Sequence, residues 1–202
     1  MFDHLLDRKN LEVLAEKMRL RNFAVEIAKD KQEALSLLQD SIPSGAEVMT
    51  ASSTTLKEIG FADYLASKES KLVSLQAKIN QEDDEGKRQD MRRKSVTADY
   101  FISSVNAVTQ DGILVAVDAT GSRTGAMPFA AKKLILVIGA QKISQDLNEA
   151  MQRVREHVFP LENARAMKAY GSGSMFGKWV IIEKEANPSR IKVILVEEAL
   201  GF

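Results

Sequence analysis

The chain has 202 residues, 45% of them hydrophobic and 28% charged, which is typical of a soluble globular protein with an α/β core. Its 28 basic and 28 acidic side chains give no net field for steering nucleic acid, and the absence of cysteine excludes disulfides, thiolate metal sites and cysteine nucleophiles. No apolar run reaches the length of a membrane span, and residues 1–10 lack the layout of a secretory signal. We therefore expect a cytoplasmic protein with a helical segment over 1–22 and a single domain over 23–202.

Helices and strands are predicted in alternation from the amino terminus. Apolar spacing over 2–21 predicts an amphipathic helix, Ala24–Ala28 a strand, and Asp30 the cap of a helix over Lys31–Asp40. The next strand, over 46–51, runs into four hydroxyl residues that open another helix, namely Ser52, Ser53, Thr54 and Thr55. One hydroxyl suffices as a cap, so the surplus is open to a second interpretation, a cradle for an anion.

A run of mixed charges dominates residues 67–97. The signs are mixed and no aromatic residues interleave with them, so we interpret the run as a solvated helix face or loop rather than a binding patch. It leads into the stretch with the strongest strand signals. Residues 100–108 predict one strand, Asp111 and Gly112 a hairpin turn, and residues 113–117 a second strand buried on both faces.

The second strand ends at Asp118, which a loop rich in glycine and hydroxyl groups follows. Asp118 is a candidate acid or base, and the alternative is an acceptor that holds the loop backbone. In the loop, Gly121 and Ser122 lead to Arg123, which can clamp a carboxylate or phosphate, the alternative being a surface salt bridge. The loop therefore predicts a site for an anionic or polyoxygenated ligand.

The remaining chain predicts a parallel-sheet strand over Lys133–Gly139 and a helix from about Ser144 to 155. Lys142 lies between them, either facing the same crevice or, as we judge simpler, solvated at the helix start. A short helix, a flexible turn and two last strands follow, over 179–183 and Ile191–Val196. This order indicates an α/β fold with a doubly wound, mainly parallel sheet and an antiparallel hairpin.

Four segments resemble the LUD domain family, of the lactate-utilisation protein C type: SSTTLKEIG at 52–60, SVNAVTQDGILVAVDATGSR at 104–123, VIGAQKI with DLNEAMQRVR within 137–155, and RIKVILVEEALGF at 190–202. The resemblance implies the fold shared by ribose-5-phosphate isomerase, glucosamine-6-phosphate deaminase and CoA transferases, with the ligand at the carboxyl ends of the strands. It also implies a part in bacterial lactate or organic-acid oxidation alongside iron–sulfur partner proteins.

Two positions depart from the related patterns. Some close relatives carry a cysteine cluster near 169–177, where this chain has none, so no thiolate metal or redox site is expected there. Sugar-phosphate isomerases place an acid near the position of Asn106, and asparagine cannot act as a general base. In an isomerase built on this chain, Asp118 would have to be the base, with Asn106 orienting or stabilising an enolate oxygen.

These observations lead to three hypotheses. The first is an accessory subunit of a lactate or 2-hydroxy-acid oxidation system that holds a small anion with the residues named above, without cofactor or metal, and acts with partners. The second is an isomerase or CoA-transferase-like enzyme that uses Asp118 as acid and base. The third is a protein-interaction module with a degenerate crevice. Nucleic acid and membranes are not expected as partners, and self-association into a homo-oligomer is left open.

Overall fold

A six-stranded parallel sheet forms the centre of the computed structural model, which describes Phe2 and residues 4–202. From one edge to the other its strands are β1 (Ala24–Ala28), β10 (Ile191–Val196), β7 (Lys133–Gly139), β4 (Tyr100–Ser103), β2 (Glu47–Thr50) and β3 (Val73–Ser74). Every pairing in it is parallel. All carboxyl ends of these strands therefore point to the same edge of the sheet.

The two faces of this sheet are buried in separate apolar clusters. Along β7, Leu134, Leu136 and Ile138 pack into one cluster, while Ile135 and Val137 pack into the other. Alternate residues of a strand point to opposite faces, so a strand covered on both sides is apolar throughout. The doubly wound, mainly parallel α/β fold predicted from the sequence is confirmed.

Nine α-helices connect and cover the strands in the described part of the chain. They are α1 (Arg8–Leu20), α2 (Lys31–Asp40), α3 (Thr54–Glu58), α4 (Phe61–Ala66), α5 (Leu75–Asn80), α6 (Glu85–Ser95), α7 (Ser122–Gly125), α8 (Leu147–Arg153) and α9 (Phe159–Tyr170). Leu11, Leu14 and Met18 of α1 pack into the first cluster, and Ala34 and Leu38 of α2 pack into the second. The two helices thus lie on opposite faces of the sheet.

A second sheet of four strands lies beside the first, and here the structure corrects the sequence interpretation. Its order is β8 (Ile143–Ser144), β5 (Ala107–Thr109), β6 (Leu114–Asp118) and β9 (Lys178–Ile182). The stretch predicted as one strand over 100–108 is divided, because β4 pairs with β7 whereas β5 pairs with β6 and β8. The hairpin is therefore part of a separate sheet, and the last two strands also belong to different sheets.

The helix after β7 starts later than predicted. Asp146, not Ser144, is its cap, since the Asp146 carboxylate accepts a hydrogen bond from the Glu149 amide at 2.9 Å. Ser144 instead pairs with Thr109 in the second sheet. Beyond α8, a π-helical turn over Val154–Val158 leads directly into α9. The short helix predicted after Pro160 is therefore the 12-residue α9, which continues the helical path of α8.

Within the charged stretch 67–97 the chain forms β3, α5 and α6. The most highly charged part is α6, where Ser95 is the one buried side chain. In the described residues no helix combines the length and the apolar character needed to cross a membrane.

Candidate functional site

A cleft of about 1,400 Å³ opens at the carboxyl ends of the parallel strands. Segments that follow three neighbouring strands line it: 52–55 after β2, 104–106 after β4 and Lys142 after β7. Residues 117–123, which are the end of β6 and the loop after it, form another wall. Among the residues that the structure describes, six basic and three acidic side chains line the cleft, so its charge favours an anion.

Lys142 is the central charged group of this cleft, and it is not the solvated lysine that we judged simpler from the sequence. Only 2% of the Lys142 surface is exposed to solvent. The Nζ atom donates hydrogen bonds to the Thr55 hydroxyl at 2.9 Å, the Ser104 hydroxyl at 3.1 Å and the Val105 carbonyl at 3.3 Å. Groups after two strands, β2 and β4, therefore converge on an ammonium group that follows a third, β7.

This ammonium has no carboxylate within ion-pair distance among the residues that the structure describes. Burial, together with the positive charges of Arg153 and Arg123 and against the opposing charge of Glu58, lowers the pKa of Lys142 to about 7. A buried cation without a counter-ion is costly, because the interior replaces water poorly as a solvent for charge. Such a group is a candidate for function rather than for stability.

The wall around Lys142 is closed by the segment after β10. Thr55 donates its hydroxyl proton to the Leu200 carbonyl at 3.1 Å, and the Gln141 amide donates to the Leu200 and Gly201 carbonyls, both at 3.0 Å. Gly201 has a φ of +64°, and a Cβ there would lie 2.4 Å from Thr55 Oγ1 and 3.3 Å from Lys142 Nζ. The close approach of this backbone requires glycine.

Arg123 supplies a second cation to the cleft. Its Nη2 atom donates to Asn106 Oδ1 at 3.0 Å and also to the Val117 carbonyl. The Nε and Nη1 atoms donate to no group in the described chain and are left for a ligand. Burial lowers the pKa of Arg123, opposed by Asp118 and Glu162, but an arginine with such a high ordinary pKa stays charged.

Asp118 holds the backbone of the glycine loop. One carboxylate oxygen accepts from the Thr120 amide at 3.1 Å, and the other accepts from the amides of Arg123 at 2.8 Å and Thr124 at 3.4 Å. Asn106 has a similar positioning geometry, since its Oδ1 accepts from the Val117 amide at 2.9 Å as well as from Arg123. This geometry matches the structural interpretation of Asp118, and a catalytic role for either residue stays a prediction.

The hydroxyl cluster divides between two roles. Ser53 caps α3, as its side chain accepts from the Leu56 amide at 3.3 Å, and Thr55 is buried against Lys142. Ser52 is exposed and Thr54 is half-buried, both on the lining of the cleft. The cap is confirmed, while the cradle for an anion stays a prediction.

The rest of the predicted loop also lies on the cleft. Gly121, with a φ of +99°, is the N-cap residue that precedes α7. The exposed Ser122 hydroxyl lies 3.3 Å from the Thr120 hydroxyl. These backbone and side-chain groups place Arg123 at the wall of the cleft.

Sequence reasoning missed several residues of the site. Ser104, directly after β4, contacts Lys142, and Arg153 of α8 donates to the Asn106 carbonyl at 2.6 Å. Arg165 of α9 lies on the rim, paired with Glu162 through two contacts of 2.7 Å. The position of Ser104 after a buried strand was a usable signal, but nothing local in the helices indicates which of their charges turns inward.

The family model of the LUD domain matches residues 11–196. The chain belongs to the LUD domain family. The match covers both sheets and every segment that lines the inner end of the cleft except the Leu200–Phe202 tail. The family name links the protein to lactate utilisation, and no curated protein sequence matches the chain significantly.

One solved structure supports the fold. A DUF162 family protein from Deinococcus radiodurans, known from a 1.70 Å crystal structure, is similar with a TM-score of 0.55 and 13% sequence identity over 95% of this chain and 99% of that one. The eIF2B delta of Chaetomium thermophilum is also similar, with a TM-score of 0.42 and 14% identity over 95% of this chain and 62% of that one. At 13% identity the likeness to the DUF162 protein extends to the fold alone.

Within the described residues, no cluster of three or more histidine, aspartate or glutamate side chains is placed to hold a metal ion.

Proposed function

We propose that this LUD domain protein binds a small carboxylate or phosphate anion in the cleft, as an accessory subunit of a bacterial lactate or 2-hydroxy-acid utilisation system. The observation that carries this proposal is Lys142, an ammonium buried at the inner end of the cleft without a carboxylate partner in the described chain. A bound anion supplies the missing charge.

The two cations suit a 2-hydroxy acid. The free Nε and Nη1 atoms of Arg123 lie on different edges of the guanidinium, and either of them can donate a charge-assisted hydrogen bond to a carboxylate oxygen. The hydroxyls of Ser52 and Ser104 on the same lining can bond a ligand hydroxyl or carbonyl. Charge and hydrogen-bonding groups are thus both available to a lactate-like ligand.

The proposal includes an iron–sulfur partner protein, as the family resemblance implies. Oxidation of a 2-hydroxy acid releases two electrons, and a chain without cysteine has no thiolate ligands for an iron–sulfur cluster. In this proposal the electrons pass through an iron–sulfur partner protein, and the present chain holds or delivers the organic acid.

An isomerase or CoA-transferase-like reaction with Asp118 as the base is less well supported. Both oxygens of that carboxylate accept hydrogen bonds from backbone amides at 2.8 to 3.4 Å, so proton abstraction would compete with holding the loop. Sugar phosphates and CoA esters therefore belong in the test as competing ligands.

The test is a thermal-shift screen of lactate, pyruvate, glycolate, sugar phosphates and CoA esters. A ligand at 100 times its Kd stabilises the fold by about 2.7 kcal/mol, which raises the Tm by roughly 5–10 °C in a protein of this size. Arg123→Ala should weaken the binding of a carboxylate about 10–100-fold, because a hydrogen bond to a charged group contributes about 1.5–3 kcal/mol.

Lys132→Met is the matched control, since Lys132 lies at the amino end of β7 with an exposed side chain paired to Asp99. It should leave the shift unchanged. A protein that no anion stabilises, or an Arg123→Ala variant that binds as well as the wild type, would contradict the proposal and favour an interaction module.

A further inference from the structure

The side chain of Lys142 lies at the cleft and can act as a neutral amine as well as a cation. Its surroundings suit a nucleophile. We propose that Lys142 forms a reversible imine with the carbonyl carbon of a 2-oxo acid held in the cleft. This inference rests on the proposed anion site and adds to it a ligand class, the 2-oxo acids, and a covalent step.

The neutral amine is available at ordinary pH. The charged groups that act on Lys142 come from three elements, Arg153 of α8, Arg123 of α7 and Glu58 of α3, and the two cations outweigh the single carboxylate. Together with burial they lower the pKa to about 7, so that about half of the lysine is neutral near pH 7. Desolvation and a neighbouring cation are the two devices that activate lysine nucleophiles.

The three oxygens around Nζ accommodate both protonation states. The Thr55 hydroxyl donates to the Leu200 carbonyl and so accepts from Lys142, while the Val105 carbonyl can only accept. The Ser104 hydroxyl makes one other contact, a long one of 3.3 Å to the Val105 carbonyl. By rotating, this hydroxyl can accept from an ammonium or donate to the lone pair of a neutral amine.

The chemical step is balanced without an oxidant or a further reactant. The amine lone pair attacks C2 of the 2-oxo acid, forming a C–N bond and a carbinolamine. The C–O bond then breaks, and the oxygen leaves as water with the two protons that the amine carried. Ser104 is placed to pass a proton between the nitrogen and the departing oxygen, and hydrolysis of the imine reverses the sequence.

Recognition of the substrate separates into two parts. Arg123 binds the carboxylate, and Lys142 reacts with the adjacent carbonyl, so both groups are needed in one ligand. A 2-hydroxy acid such as lactate has the carboxylate but no electrophilic carbon, and we expect it to bind without reacting. Lactate should therefore compete with a 2-oxo acid for the cleft and inhibit the covalent step.

The experiment is reductive trapping of the full-length protein with pyruvate and cyanoborohydride, followed by peptide mass spectrometry. The expected result at pH 7 is a predominant reduced pyruvate adduct on Lys142, whose formation is half-maximal near that pH, because exposed lysines have an ordinary pKa of about 10.4 and are mostly protonated there. Lactate should slow the trapping. Lys132→Met should form the Lys142 adduct like the wild type, and Lys142→Arg should lose this predominant adduct.

Two failures are distinguishable. If lactate and pyruvate raise the Tm but no adduct forms on Lys142, the imine is wrong and the anion site stands. If neither acid raises the Tm and no adduct forms, the proposed function fails as well. Adducts spread over surface lysines with no preference for Lys142 would also overturn the inference, whatever the variants do.

Discussion

Two largely buried cations lie at opposite ends of the parallel sheet, and their surroundings differ. Arg190, just before β10 at the amino end, forms an ion pair of 2.6 Å with Glu185, both side chains being 11% exposed, and also donates to carbonyls of Met127 at 2.8 Å and Ala131 at 3.3 Å. Lys142, at the carboxyl end, has hydroxyl and carbonyl partners but no described carboxylate.

We interpret the difference as one between a cation that holds the fold together and one that is available to the proposed ligand. The Arg190 pair joins the loop before β10 to the π-helical turn over Ala126–Ala130, and its charges are compensated within the protein. The charge of Lys142 is not compensated, and its pKa is lowered accordingly. The cost of burying a charge is thus met by the protein at one end of the sheet, and we propose that a ligand meets it at the other.

Removal of the amino-end cation should have the largest effect. Arg190→Met leaves the Glu185 carboxylate buried without its partner and the Met127 and Ala131 carbonyls without a donor, so we expect a loss of about 3–5 kcal/mol in the free energy of unfolding. Urea denaturation at pH 7 measures it. The exposed pair of Lys132 and Asp99 is the control, where Lys132→Met should cost less than about 1 kcal/mol. Similar losses in the two variants would abolish the distinction between the buried pair and a surface contact.

The pH dependence of stability should show a smaller effect, specific to the carboxyl-end cation. Lys142 has a pKa of about 7 in the folded protein and about 10.4 in the unfolded chain, so between these values the unfolded chain binds a proton that the folded protein lacks. Stability therefore rises with pH in this window. From about pH 7 to 9 the wild type should gain about 2 kcal/mol relative to Lys142→Met. Parallel pH profiles would show that Lys142 has an ordinary pKa.

Most of the fold was predictable from local signals. The strand at Ala24–Ala28 and the helix at Lys31–Asp40 match the structure, because their periodicity and the Asp30 cap are local properties. The division of 100–108 between two sheets was not predictable, since β4 and β5 have the same strand propensity and differ only in their distant partners. The Asp146 cap was missed because Ser144, an equally good cap by type, is taken up by a strand pairing.

The candidate site was predictable in position but less so in its chemistry. Hydroxyls after one strand, a glycine loop after another and a lysine after a third were all visible, and the structure brings them to one cleft. The burial of Lys142 was not visible, because it depends on Ser104 and on the Leu200–Gly201 backbone, which come from remote parts of the chain. The balance of charge around a side chain is a tertiary property that local sequence does not contain.

The most direct test of the central claim is the free energy of unfolding of the wild type and Lys142→Met at pH 7, each without and with saturating lactate. Without lactate, Lys142→Met should be at least as stable as the wild type, because it removes an uncompensated buried charge. With lactate at 100 times its Kd, the wild type should gain about 2.7 kcal/mol and become the more stable of the two. A Lys142→Met variant that is several kcal/mol less stable without lactate, beside a wild type that lactate does not stabilise, would show that Lys142 only holds the fold together.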